Sequence, residues 1–161
     1  MGQGFEFGFS DSLLTEVGWV TQRDLHFDVE AICKAYEAIK PIAKRLGVEA
    51  PKPRLAGFAY THIAALGAKI DFTEDEPKPQ TLLHSPEEID RLEEPRDYLQ
   101  ADLVQKRIGV SEELKRRFPA TKHFIGHLFE GPLISATLLL GQRFLTLPYD
   151  DPTRLNLHKG T

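Results

Sequence analysis

Residues 121–141 constrain this chain more than any other stretch. Lys122-His123-Phe124-Ile125-Gly126-His127-Leu128 reads as an apolar strand over 121–128. It runs through Phe129 into a Glu130-Gly131-Pro132 turn, and a helix of small residues and leucines follows over 132–140 before stopping at Gly141. A strand–loop–helix unit of this kind sets a charged side chain at the C-terminal end of the strand. That edge is where parallel α/β proteins carry their chemistry.

The rest of the chain alternates in the same manner. Residues 1–27 mix glycine, phenylalanine and polar residues without a sustained period and predict an irregular N-terminal arm, whose phenylalanines and Trp19 should pack onto something. Asp28 opens a helix to Leu46, with Ile32, Ala35, Tyr36, Ile39, Ala43 and Leu46 on one apolar stripe. Pro41 should kink or divide it, and Gly47 stops it. Pro51-Lys52-Pro53 is a linker, a small-residue helix is expected over 56–66, and Ala68–Phe72 reads as a short strand. The acidic, proline-rich stretch 74–79 shows neither a helical nor a strand pattern. Ser85-Pro86-Glu87-Glu88 is a helix start with a serine cap, a proline in the first turn and acids at the positive dipole end. Its helix should reach about residue 92, followed by helices over 95–108 and from 111 to just before Pro119. Pro148–Pro152 reads as a turn. Alternation of helices and strands predicts an α/β fold with parallel strands.

Composition narrows the function classes. A chain of 161 residues with 41% hydrophobic and 27% charged residues is long enough for one domain with its own core. The net charge of -4 and the lack of a dense basic block argue against a nucleic-acid surface. Lys115-Arg116-Arg117 lies beside Glu112 and Glu113 and reads as the solvated end of a helix. A single cysteine, Cys33, rules out an internal disulfide and suits a reducing compartment; it is expected to be a buried, inert thiol. No apolar run approaches the ~20 residues that span a bilayer, and the start of the chain lacks the basic and apolar segments of a signal peptide. A cytoplasmic protein without membrane or nucleic-acid partners is the expectation.

Tyr60-Thr61-His62-Ile63-Ala64-Ala65-Leu66-Gly67-Ala68-Lys69-Ile70-Asp71-Phe72, then Pro77–Gln80, Ser85–Leu92, Gly131–Gly141 and Asp150-Asp151-Pro152 occur in a telling order. Over roughly residues 55–157 this ordered set resembles the first half of the uroporphyrinogen decarboxylase superfamily. That family holds heme-pathway decarboxylases and zinc-dependent, corrinoid-linked methyltransferases. The resemblance implies a partial (β/α)8 TIM barrel over 28–161, roughly its first half, since a whole barrel needs ~250 residues. It leans to the methyltransferase-like branch. The arginine-rich loop that would hold a tetrapyrrole's carboxylates has no counterpart here, where the first 45 residues hold only Arg23 and Arg45. The aspartate that the decarboxylases place ahead of the Ala-Leu-Gly helix is replaced by Gly57-Phe58-Ala59. In that branch a complete enzyme moves a methyl group between a methylated compound, a corrinoid protein and a thiol held by zinc. The zinc ligands lie in its second half and are not expected in this chain.

Candidate site residues follow from position. Glu130 at the strand end is a proton carrier or hydrogen-bond acceptor, or else a loop carboxylate holding backbone donors. His123 and His127 share one strand face with Ile125; they bind a carboxylate substrate or a metal, with His127 as a catalytic candidate, or form a bonded polar layer in the core. Tyr60 and His62 open a helix where an anion can bind, while for Tyr60 packing against its neighbours is the favoured role. Asp71 ends a strand and reaches the mouth or caps the acidic loop. The alternatives to methyl transfer are a tetrapyrrole decarboxylase and a non-catalytic half-barrel module. An incomplete parallel sheet exposes strand edges and apolar faces, so a homodimer or a second chain completing the barrel is the expected partner.

Overall fold

A computed structural model describes residues 9–73, 76–93, 97–121 and 131–150. Among these residues the chain is mostly helical. Helices α1 (Asp11–Gly18), α2 (Gln22–Phe27) and α3 (Val29–Leu46) come first, then α4 (Thr61–Ala65). A hairpin of β1 (Ile70–Phe72) and β2 (Pro77–Pro79) leads to α5 (Pro86–Ile89) and a 3-10 turn over Tyr98–Gln100. Helices α6 (Asp102–Arg117), α7 (Pro132–Leu140) and α8 (Arg143–Asp150) complete the order.

The arm over 1–27 is not irregular throughout: it holds α1 and α2. Each is set by its cap. The Ser10 hydroxyl accepts from Leu13 N–H, and Thr21 and Asp24 form a reciprocal capping box. Helices this short show no sustained stripe, which is why periodicity overlooks them. Phe9 and Phe27 do pack, Phe9 on the core and Phe27 on Phe72, but Trp19 is 88% exposed at the left-handed C-cap of α1.

Helix α3 runs as expected from its Asp28 cap to a left-handed Gly47. Five of its six stripe residues are buried; Leu46 is exposed. Pro41 does not divide it. The ring lies on the exposed side, and so does Glu37, whose carbonyl loses its N–H partner at the proline. Helix α4 begins five residues later than composition suggests, because 51–57 run without regular structure. Helix α6 is continuous through Gly109, joining the two helices expected over 95–108 and from 111. Pro148 lies within α8 and not in a turn.

The proline-rich stretch 77–79 is a strand. Ile70 pairs with Pro79, Asp71 with Lys78 and Phe72 with Pro77, antiparallel. Gln80 N–H donates to Lys69 O at 2.8 Å and Thr73 N–H to Glu76 O at 3.3 Å. Bonded pairs alternate along an antiparallel ladder, so Pro77 and Pro79 fall at the pairs that need no N–H toward β1. The outer edge of β2 therefore lacks donors at both prolines and resists extension. This hairpin is the sheet among the described residues; a parallel sheet is not seen there. The strand expected over 121–128 lies almost wholly outside the described residues, as does the stretch after Asp150.

Two apolar clusters hold the elements. The first gathers Leu14, Leu25, Ile32, Ile39, Leu55 and Leu114 from α1, α2, α3, α6 and the 51–57 segment. The second gathers Ile63, Ala68, Leu83, Leu139 and Leu140 around the end of α7. There the Leu139 carbonyl accepts from both Leu82 and Leu83 N–H at 3.0 and 2.9 Å. Gly141 allows the tight exit: its φ of 63° and ψ of -150° suit glycine alone, and a Cβ would lie 3.1 Å from Thr81 Oγ1.

Candidate functional site

The seam between α4 and α7 carries two of the residues singled out by sequence. Tyr60 occupies the N-cap of α4 and sets its ring edge-on to Phe58, 5.8 Å between centroids. Packing is therefore part of its role. His62, in the first turn, reaches across to α7, where its Nε2 lies 2.7 Å from Ser135 Oγ in a partly buried bond. Ser135 sits one turn into α7, its N–H donating to Gly131 O at 3.0 Å. A histidine–serine pair of this kind can hold or pass a proton, and it anchors α4 beside the start of α7. His123, His127 and Glu130 lie outside the described residues.

Asp71 stands apart from that pair in its described bonding. It is exposed on the hairpin, accepts from Gln80 Nε2 at 2.7 Å and faces Lys78 across the strands. Its local role is to hold the hairpin together. Two hollows flank the segment 82–85. One of about 400 Å³ is an open depression floored by Leu66, Leu82, Leu83 and Leu92. Another of about 270 Å³ lies between Ser85, Leu140, Arg143 and Asp150.

A second polar centre was not legible as a site in the sequence. Arg107 and His26 are each 1% exposed. Arg107 Nη1 lies 2.6 Å from His26 Nδ1 and Nη2 donates to Ala56 O at 2.7 Å, tying α6 to α2 and to the segment that leads into α4. The guanidinium lies over the Phe58 ring, 4.9 Å from its centroid, and Arg107 Nε has no hydrogen-bond partner among the described residues. Phe58 and Phe72 flank the His26 ring at 5.5 and 5.4 Å. Burial, and then the Arg107 charge, push the His26 pKa down to about 3, while burial lowers that of Arg107 to about 10. The arginine is thus a cation and the histidine neutral at pH 7. Burial also raises the Asp11 carboxyl, against the pull of Arg54 and Arg107. The sequence signal was available: Val104, Arg107, Ser111 and Leu114 form one buried helical stripe with an arginine in it.

Cys33 is half-buried beside the core, as its place at the edge of the α3 stripe implies, and burial raises its pKa. Arg117 is not merely solvated. It joins Glu30 on α3 at 2.5 Å and Glu113 at 2.7 Å. Among the described residues no group of three His, Cys, Asp or Glu side chains converges to hold a metal. No helix among them is long and apolar enough to cross a membrane.

No family model and no curated protein matches the chain. Among solved structures it is similar to a methyltransferase from Methanosarcina mazei, with a TM-score of 0.57 and 15% identity over 89% of this chain. The match covers 42% of that structure, so the chain spans less than half its length. At this identity the likeness is one of fold: the chain has a methyltransferase-like fold.

Proposed function

We propose that the chain forms the first half of a barrel of the uroporphyrinogen decarboxylase type, on its methyltransferase-like side. There a methyl group passes between a small methylated compound, a corrinoid protein and a thiol. The observation that carries this reading is the fold likeness to a methyltransferase over 89% of the chain, beside the motif order that resembles that superfamily. We assign His62, held by Ser135, to substrate contact with Tyr60 beside it. His123 and His127, on the strand expected over 121–128, and Glu130 just after it complete the polar lining in this reading. Zinc, which holds the acceptor thiol as thiolate in that chemistry, takes its ligands from the other half of the barrel.

A non-catalytic module is the second reading, and one observation favours it. Leu133, Ile134, Leu145 and Tyr149 on α7 and α8 are 48–87% exposed, an apolar surface that a completing half would cover. Native mass spectrometry of residues 1–161 with zinc and a methylated corrinoid protein separates the two. The first reading expects a complex with the corrinoid protein that H62A weakens. A defined self-dimer indifferent to corrinoid protein and zinc favours the module, and a monomer that binds none of them overturns both.

A further inference from the structure

Arginine has five N–H donors and no acceptor. The 2.6 Å contact between Arg107 Nη1 and His26 Nδ1 therefore requires a lone pair on Nδ1. The ring proton must sit on Nε2 and the imidazole must be neutral. A second proton would set N–H against N–H and place two cations together where both side chains are 1% exposed. Few groups nearby can relieve that. From α6 the charge facing His26 is Arg107 itself, and β1 and the segment before α4 contribute the phenyl rings of Phe72 and Phe58. Asp11 on α1 acts on Arg107, and Arg54 acts on Asp11. Tyr36 on α3, bonded to Arg54, is kept protonated by burial.

We propose that the His26–Arg107 bond is a proton-sensitive latch: proton uptake at His26 breaks it and opens the seam between α2 and α6. Arg107 also holds Ala56 O, four residues before Tyr60, so release loosens the approach to the α4–α7 pair. The direction follows from linkage. The closed state binds the proton weakly, with a His26 pKa of about 3, whereas the opened ring returns to an ordinary value near 6.5. Below pH 6.5 the open population rises roughly tenfold per pH unit. The latch is independent of any methyl-transfer activity.

Hydrogen exchange of the α2 and α6 amides, corrected for intrinsic rates and followed from pH 7.5 to 4.5, tests it against H26Q. Glutamine offers a carbonyl acceptor to Arg107 and does not titrate. The wild type should lose roughly ten- to thirtyfold protection by pH 5, with H26Q nearly flat. Parallel loss in both proteins overturns the latch. Ring ¹⁵N shifts of the wild type give a second reading that needs no variant. At pH 7.5, where the latch is closed, they should show Nδ1 unprotonated and Nε2 protonated; a protonated Nδ1 at that pH overturns the proposal.

Discussion

Arg107 occupies a helical position where an apolar side chain would bury without partners, and its neighbours are arranged to receive it. R107M leaves the His26 ring nitrogen and Ala56 carbonyl buried without donors, each worth about 1–3 kcal/mol. We expect about 3 kcal/mol of lost stability in urea unfolding, and R107K should recover little, since one ammonium cannot span both acceptors or cover the Phe58 ring. Two glycines give opposite signs. A Cβ on Gly18 would lie 2.7 Å from Ala35 Cα, where α1 crosses α3. G18A should therefore cost about 1–3 kcal/mol. Gly109, inside α6 with nothing within 4 Å of its Cβ direction, should gain about 0.5–1 kcal/mol on G109A. Thermal unfolding of the pair checks both signs. These sites were only partly legible: a stripe shows that Arg107 faces inward, but not that His26, 81 residues away, stands opposite it.

At the scale of elements, caps mark short helices that periodicity overlooks. Asp28, Ser10 and the Thr21–Asp24 box mark helix starts that the structure uses. Ser85 precedes α5 without bonding its backbone, so a cap residue alone does not make the cap bond. Breakers were weaker guides, because Pro41, Gly109 and Pro148 all stand inside helices. Proline costs an N–H and a steric clash, yet both are tolerable where the freed carbonyl faces water. In the hairpin the prolines serve a different end. Replacing both Pro77 and Pro79 with valine restores donors to the outer edge of β2. The variant should keep its helix content by circular dichroism and self-associate more strongly in sedimentation; an unchanged monomer–oligomer balance would show that the prolines do not guard this edge.

Over the whole molecule, acid and exposed apolar surface set the expected behaviour. His26 has a folded pKa below its unfolded one. Its contribution is present above pH 6.5 and is lost as pH falls toward 3, at about 1.4 kcal/mol per unit. Glu113, lowered to about 2 by Arg116 and Arg117, adds loss in the same direction below the ordinary glutamate range. The raised Asp11 acts oppositely, since its folded form favours the proton. Net stability should fall from pH 7 to 4, and H26Q should flatten most of that slope in denaturant titrations. Helix α7 divides by exposure: Leu133 and Ile134 are exposed, Leu139 and Leu140 buried. L133D and I134D should leave folding nearly unchanged and abolish association if this end is the contact. L139D should instead disrupt the second cluster. Association that survives L133D and I134D together removes this surface from the partner-binding reading.

The sequence by itself determined the helix over 29–46, its buried stripe and caps, the strand at 70–72, the helix over 132–140 and its glycine stop. These depend on local spacing, backbone preference and the burial of one face, all readable within a few turns. Only the tertiary structure decided that 77–79 is a strand, that Trp19 stays exposed, that His62 meets Ser135 and that Arg107 is sealed against His26. Each of these depends on what lies across a packed seam, and partners 73 and 81 residues apart leave no periodic trace in either segment.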